Sequence, residues 1–224
     1  MKIAVFIKQV PDTNDVKWTE NNNIDRARMD SIINPVDKQA VEAALELKDN
    51  IGAYVCVISM GPDKAKSILK ESIAMGCDDA VLLCSPKFAG SDTCATSRVL
   101  ASFIKQKFSD VDLILFGQSA IDGETSQTGP STAARLNLPC LSHVNKIESS
   151  NENTLKICTE TEDTKCVYNA ALPFVLCINN YIKPPRIPKI NGYIKAHNYE
   201  IKSFNHTDLN LTDTQIGVKG SPTW

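Results

Sequence analysis

An excess of one charge, long apolar runs and closely spaced metal ligands are all missing from this 224-residue sequence. Lys and Arg number 24 against 26 Asp and Glu, a net charge of −2, which provides no electrostatic footprint for nucleic acid or acidic lipid. No stretch reaches the roughly 20 apolar residues that span a bilayer. The opening MKIAVFIKQVP has one early lysine and a short apolar run but no small-residue cleavage site, so it reads as a buried first strand rather than a signal peptide. The three histidines, His143, His197 and His206, are scattered, and none of the eight cysteines stands in a C-x-x-C pair. That spacing argues against a metal or iron–sulfur centre. Cysteines among apolar neighbours, as in VCVI and LLC, read instead as buried free thiols of a reducing cytoplasm.

Catalytic signatures are missing too. No Gly-Lys-Ser/Thr follows a glycine-rich loop, which argues against ATP hydrolysis of the P-loop type. The first strand is not followed by G-x-G-x-x-G, so the standard Rossmann fingerprint is absent. There is no G-x-S-x-G elbow, and no cysteine has a base paired with it in the sequence. These absences leave a chain suited to holding a nucleotide, without a bond-breaking set of its own.

What is present describes a soluble globular protein, 42% apolar and 22% charged, long enough for one α/β domain with a lobe or tail attached. Ile3–Ile7, Tyr54–Ser59, Ala80–Cys84, Leu113–Phe116 and Pro173–Ile178 are short apolar runs that read as buried strands. Between them lie helical lengths. One starts at Asn34-Pro35, carries Val36, Ala40, Ala43 and Leu47 on one face and stops at Gly52. A second carries Ala65, Ile68, Leu69, Ser72 and Met75; a third leads from Gly90-Ser91-Asp92 to about Phe108; a fourth begins near Gln127. This alternation predicts an α/β fold with a three-layer, mostly parallel sheet. Asp15–Met29 suits an exposed hairpin or excursion. Residues 145–170 hold two β-leaning runs, Thr154–Thr159 and Lys165–Val167, and read as a hairpin excursion. Beyond residue 200 no core-facing period is visible, which predicts a tail lying on another surface or partly mobile.

The chain is organised around Asp112–Leu136, where a strand is followed by a small polar loop with glycines at 117 and 123, then hydroxyls and a helix start. This is a recipe for anion binding, although any α/β protein has several such turns. Thr125, Gln127 and Thr128 are placed to donate hydrogen bonds to a phosphate. Asp122 and Glu124 would repel one unless they cap the loop or meet a ribose or backbone N–H. The Pro-flanked basic stretch at 183–195 reads either as a solvated connection or as a docking surface, with Ile187 and Ile190 the apolar residues that would reach a partner.

Several stretches together go further: KQVPDT at 8–13, NPVDKQAVEAALELK at 34–48 and GQSAIDGETSQTGP at 117–130, with SMGP at 59–62, AMG at 74–76, GSDT at 90–93, PPR at 184–186 and GSPT at 220–223. In this order, over nearly the whole chain, they closely resemble the small (beta) subunit of electron-transfer flavoproteins. The resemblance implies an adenine-nucleotide-binding fold related to the universal-stress-protein group, and a larger alpha subunit carrying its own FAD as partner. The small subunit of such proteins holds either structural AMP or, in electron-bifurcating members, a second FAD. NADH reduces that flavin, which sends one electron to the alpha-subunit FAD and another to ferredoxin or flavodoxin. The different-class alternative is a stand-alone stress-type nucleotide-binding regulator.

Carried over onto this sequence, the resemblance sets Ile7, Lys8 and Gln9 on the adenosine side, with Ser59, Met60 and Gly61 against it. Asp122, Gly123, Glu124, Thr125, Gln127 and Thr128 match the phosphate-binding loop. DGET followed by QTGP looks more like the FAD-bearing type than the AMP-bearing one, which often has a further aspartate where Gly123 stands; glycine leaves room for backbone to approach a pyrophosphate. Residues 1–180 then form the nucleotide-binding domain. Residues 181–224 supply a docking loop, with Arg186, Ile187 and Ile190 facing an acyl-CoA dehydrogenase or similar partner, and a segment packing on the alpha subunit. PPRIPKING departs from the commoner ending of the docking motif. Family members continue past GSPT into an arm around the alpha subunit; the sequence here reaches Trp224, so that arm is either absent or outside it.

Overall fold

The computed structural model describes residues 1–12, 31–151 and 153–223. The excursion expected over Asp15–Met29 lies outside them. β1 (Lys2–Ile7) forms from an apolar run buried on both faces, with Ile3, Val5 and Ile7 in one core and Ala4 and Phe6 in the other. A short antiparallel ribbon follows, β2 (Gln9–Pro11) with β3 (Ser31–Ile33). α1 (Pro35–Ile51) starts at the predicted Asn34-Pro35, buries Ala40, Ala43 and Leu47, and ends at Gly52, in the left-handed region at φ 71°. β4 (Tyr54–Met60), α2 (Lys66–Met75), β5 (Asp79–Leu83), α3 (Thr93–Lys107), β6 (Leu113–Gly117) and α4 (Thr128–Leu136) fall where apolar period and turn residues put them. Asp92 caps α3 by accepting the Ala95 N–H at 2.9 Å.

The remaining elements are β7 (Cys140–Asn151), β8 (Thr154–Glu160), β9 (Lys165–Ala171), β10 (Phe174–Ile178), α5 (Ile190–Asn198) and β11 (Lys202–Phe204). Nine strands make one sheet in the order β11-β5-β4-β1-β6-β10-β7-β8-β9. Every pairing from β11 to β7 is parallel; β7–β8 and β8–β9 are antiparallel. α1 and α2 cover one face over a core that includes Ile3, Leu45, Leu69 and Phe174. α3 and α4 cover the other over Phe6, Phe103 and Phe116. The chain steps outward from β1 to β4 to β5, then returns to lay β6 on the other side of β1. β1 and β6 therefore diverge at a topological switch point.

The runs at 154–159 and 165–167 are strands β8 and β9, paired antiparallel as a hairpin, and they extend the main sheet from β7. Leu155 and Ile157 of β8 join Val144 and Ile147 of β7 in the α1-side core. Register shifts between Val144 and Lys146 and between Ser149 and Asn151 break the two-residue alternation, which hides β7 in the sequence. One expectation is corrected: the tail lies on the chain's own body. β11 adds to the edge at β5, and Leu209, Leu211 and Ile216 bury themselves in the α3-side core. Anchors at that irregular spacing need no helical or strand period. The eight cysteines are all free, but only Cys56, Cys77 and Cys177 are buried, the others being half-buried. Burial pushes the Cys77 thiol up to about 12, so it stays protonated.

Candidate functional site

A cavity of about 470 Å³ opens at the carboxyl ends of β1 and β6, within the usual range for small-molecule sites of about 300–1,000 Å³. Phe6 and Phe116 line it, their rings stacked with centroids 4.8 Å apart. The first turn of α1 holds the two strand ends together. Asp37, buried there, accepts the Lys8 N–H at 2.7 Å and the Gly117 N–H at 3.1 Å. The approach is so close that a Cβ at Gly117 would lie 2.3 Å from Asp37 Oδ1. Burial pushes the Asp37 carboxyl from its ordinary 3.8 up to about 7, against the pull of these N–H donors, of Asn34 and of Lys8.

Asn34 stands at the N-cap position of α1, but its side chain makes no capping hydrogen bond. Its amide instead donates to the Ser119 carbonyl at 2.8 Å and accepts the Ile121 N–H at 3.2 Å, tying the organising loop to α1. The loop tightens where the Thr125 N–H donates to the Gly123 carbonyl, and Ser126 takes a left-handed φ of 54° before α4. The N-terminus of α4 has no side-chain cap. Its first-turn N–H groups and dipole are therefore open to an anion. A Cβ at Gly129 would come within 2.5 Å of Cys177 Sγ, so α4 lies hard against β10. Gly123 differs from these two glycines: a Cβ there would meet nothing within 4 Å.

The cavity brings together Ile7, Lys8, Met60, Gly123, Thr125, Gln127 and Thr128. The other candidates lie outside its lining. Asp122 accepts a hydrogen bond from Lys8 Nζ at 2.7 Å, so its charge is offset locally instead of facing a phosphate unpaired. Glu124 is exposed. Gln9 turns toward Lys64 and Ser67, its Nε2 3.4 Å from each acceptor. Ser59 is buried in β4, with an Oγ that has no partner among the described residues, and alternation along the strand sends its neighbour Met60 to the cavity. Gly61 follows, its N–H donating to the Leu83 carbonyl at 3.1 Å.

Several lining residues escaped sequence reasoning: Asp37, Asp92, Thr93, Thr96 and Thr223. The first four sit in first turns of helices or at their caps. The rule that ligands bind beyond the carboxyl ends of parallel strands would have pointed to them. Thr223 closes the GSPT stretch of the resemblance, which by itself gives it no place at the site.

In the docking stretch, Ile187 is 87% exposed and Ile190 79% exposed. Arg186 is engaged within the chain, paired with Glu42 and Asp49 at 2.8 Å each. Lys183 pairs with Glu46, and the Tyr181 hydroxyl donates to Glu46 at 2.7 Å. The basic residues thus fasten the segment to α1 while the isoleucines project. Among the described residues, no group of three or more His, Cys, Asp and Glu side chains is placed to hold a metal ion, and no helix is long and apolar enough to cross a membrane.

The electron transfer flavoprotein domain matches residues 22–209 of this sequence. Over 224 residues the chain is 42% identical to the electron transfer flavoprotein subunit beta of Clostridium acetobutylicum, covering all of this chain and 85% of the relative. It is 40% identical to the caffeyl-CoA reductase-Etf complex subunit CarD of Acetobacterium woodii, with the same coverage. Identity is 38% to the acryloyl-CoA reductase electron transfer subunit gamma of Anaerotignum propionicum, covering all of this chain and 86% of that protein. With a parallel α/β sheet and a ligand-sized cavity at its switch point, the chain belongs to the electron-transfer flavoprotein family as a small, beta-type subunit.

Proposed function

We propose that this small subunit holds FAD, rather than AMP, in the cavity at the ends of β1 and β6. The carrying observation is Gly123, which lines the cavity although the protein's own packing does not require a glycine there. The space a side chain would take suits the backbone approach of a pyrophosphate, which FAD has and AMP lacks. The uncapped N-terminus of α4, with Thr125, Gln127 and Thr128, would receive the phosphates. Phe6 and Phe116 keep the floor apolar, and the Lys8–Asp122 pair steadies the loop. When bound, FAD supplies the electron transfer that no side chain of this chain can perform.

The further reading is of a heterodimer with an alpha subunit bearing a second FAD. It would pass electrons between NADH or an acyl-CoA dehydrogenase, the alpha-subunit FAD, and ferredoxin or flavodoxin. Relatives named for caffeyl-CoA and acryloyl-CoA reductase systems support a CoA-linked partner. Exposed Ile182, Ile187, Ile190 and Ile194 favour a docking protein over a stand-alone regulator. The parallel sheet with its site at the switch point supports the adenine-nucleotide-binding, universal-stress-protein type of fold. Eight free cysteines suit a cytoplasmic setting.

Co-expression with a large subunit and counting of nucleotides per heterodimer is the test. Two FAD molecules are expected; one FAD with one AMP would replace this proposal by the AMP form. Thr125→Ala and Gln127→Ala should each weaken nucleotide retention by up to about tenfold, read as release rate from the heterodimer. Unchanged release would remove these side chains from the phosphate site. NADH-driven reduction of both ferredoxin and an enoyl-CoA acceptor tests bifurcation itself.

A further inference from the structure

One wall of the cavity comes from the far end of the chain. Residues 217–223 run back to the N-terminal end of α3 and are held there by reciprocal hydrogen bonds. The Asp92 N–H donates to Ser221 Oγ at 2.9 Å, and one Asp92 carboxylate oxygen accepts the Thr223 hydroxyl at 3.0 Å and the Thr223 N–H at 3.3 Å. The other oxygen caps α3 through the Ala95 N–H. Ser91 Oγ accepts the Gly217 N–H at 3.0 Å, and the Ser221 hydroxyl, 6% exposed as a residue, donates to the Gly217 carbonyl at 2.7 Å. Thr223 thereby comes to line the same cavity as Asp92, Thr93 and Thr96.

The two helix ends at this cavity differ in chemistry. The first turn of α4 is uncapped and suits an anion. The first turn of α3 already has a carboxylate on it, which satisfies an N–H and repels phosphate. The α3 end therefore suits an uncharged part of a nucleotide that bears hydroxyl or amino groups.

Given the nucleotide placement proposed above, we propose that residues 217–223 are a retaining strap. In it Thr223 is a nucleotide-contacting residue, Asp92 is the residue that positions it, and the nucleotide leaves only when the strap lifts. The strap is fastened largely by side-chain hydrogen bonds, with Ile216 as its apolar root, so it belongs to the part of the structure that opens before the sheet does. By linkage, a ligand that requires a closed strap also holds it closed.

The test uses the heterodimer with its large subunit. Thr223→Val and Asp92→Asn should each release the small-subunit nucleotide about tenfold faster than wild type, with the large-subunit flavin content unchanged. Thr223→Ser should restore the wild-type rate. Added FAD or AMP should slow backbone hydrogen exchange over residues 217–223 in the wild-type heterodimer. Retained nucleotide, released no faster from either variant, together with exchange indifferent to nucleotide, would overturn the strap alone. A wild-type heterodimer with no small-subunit nucleotide would overturn both the strap and the nucleotide placement.

Discussion

Arg186→Ala is expected to lower the stability of the subunit by about 2–3 kcal/mol, a fall of roughly 4–12 °C in Tm for a domain of this size. The guanidinium grips Glu42 through Nε at 2.9 Å and Nη2 at 2.8 Å, and the Arg186 backbone N–H adds a third bond at 2.9 Å. The Glu42 side chain is only 6% exposed, so removing Arg186 leaves a buried carboxylate with one backbone donor. Because the guanidinium itself is 31% exposed, water can partly replace it, which keeps the cost below the roughly 3–5 kcal/mol of a fully buried broken pair. Ile187→Ala and Ile190→Ser should behave in the opposite way. Both side chains project into solvent, so stability should change by no more than about 0.5 kcal/mol, while affinity for the dehydrogenase partner falls. Thermal unfolding of the subunit and titration of the heterodimer with that partner separate the two effects. A thermally silent Arg186→Ala variant would mean that the ion pair is open to water in solution.

The second large effect is expected at Asp37 and depends on pH. The folded-state pKa of Asp37, about 7, lies above its ordinary value of 3.8. Its favourable contribution is therefore complete below the unfolded value and is lost as pH rises through the folded one. Over that window the linkage amounts to up to about 4 kcal/mol. Asp37→Asn cannot titrate, and its amide can accept only one of the two N–H groups that now reach the carboxylate from Lys8 and Gly117. The variant should be less stable than wild type by about 1–3 kcal/mol near pH 4–5. The gap should narrow or reverse by pH 8, where the wild type carries a buried charge. Denaturant unfolding at several pH values reads this directly. Parallel stability profiles for the two proteins would show that Asp37 is ionised throughout and that its donors outweigh burial.

Much of the fold was legible because the signals that write it are short-ranged. A four-residue apolar run, Leu113–Phe116, bounded by Asp112 and Gly117 is too short for a helix and reads as a buried strand. Asn34-Pro35 opens a helix and Gly52 closes it by backbone preference alone. Asp92 announces the start of α3 in the same way. β7 was missed because its register shifts break the alternation that marks a strand. α5 was missed because its exposed isoleucines do not make a buried stripe; Ala196 is its one buried residue among those described. The phosphate loop and the ends of β1 and β4 were readable as candidates, and the cavity gathers half or more of them. Gln9 and Glu124 belong to the same motifs but point elsewhere, since a motif specifies backbone position and not the side to which each side chain turns.

The sequence by itself determined the alternation of the main strands and helices from β1 to α4, the place of the organising loop and, through the combined motifs, the family. These follow from contacts made within a few residues or from patterns that survive without knowing what packs on what. Only the tertiary structure decided that Asp37 clamps two strand ends, that Asn34 ties down a loop 85 residues away, that Arg186 fastens the docking stretch to α1, and that Thr223 walls the cavity 131 residues from Asp92. Such pairs leave no local trace. Each residue taken alone is an ordinary cap, charge or hydroxyl, and becomes part of a site only when the sheet brings its distant partner within hydrogen-bond reach.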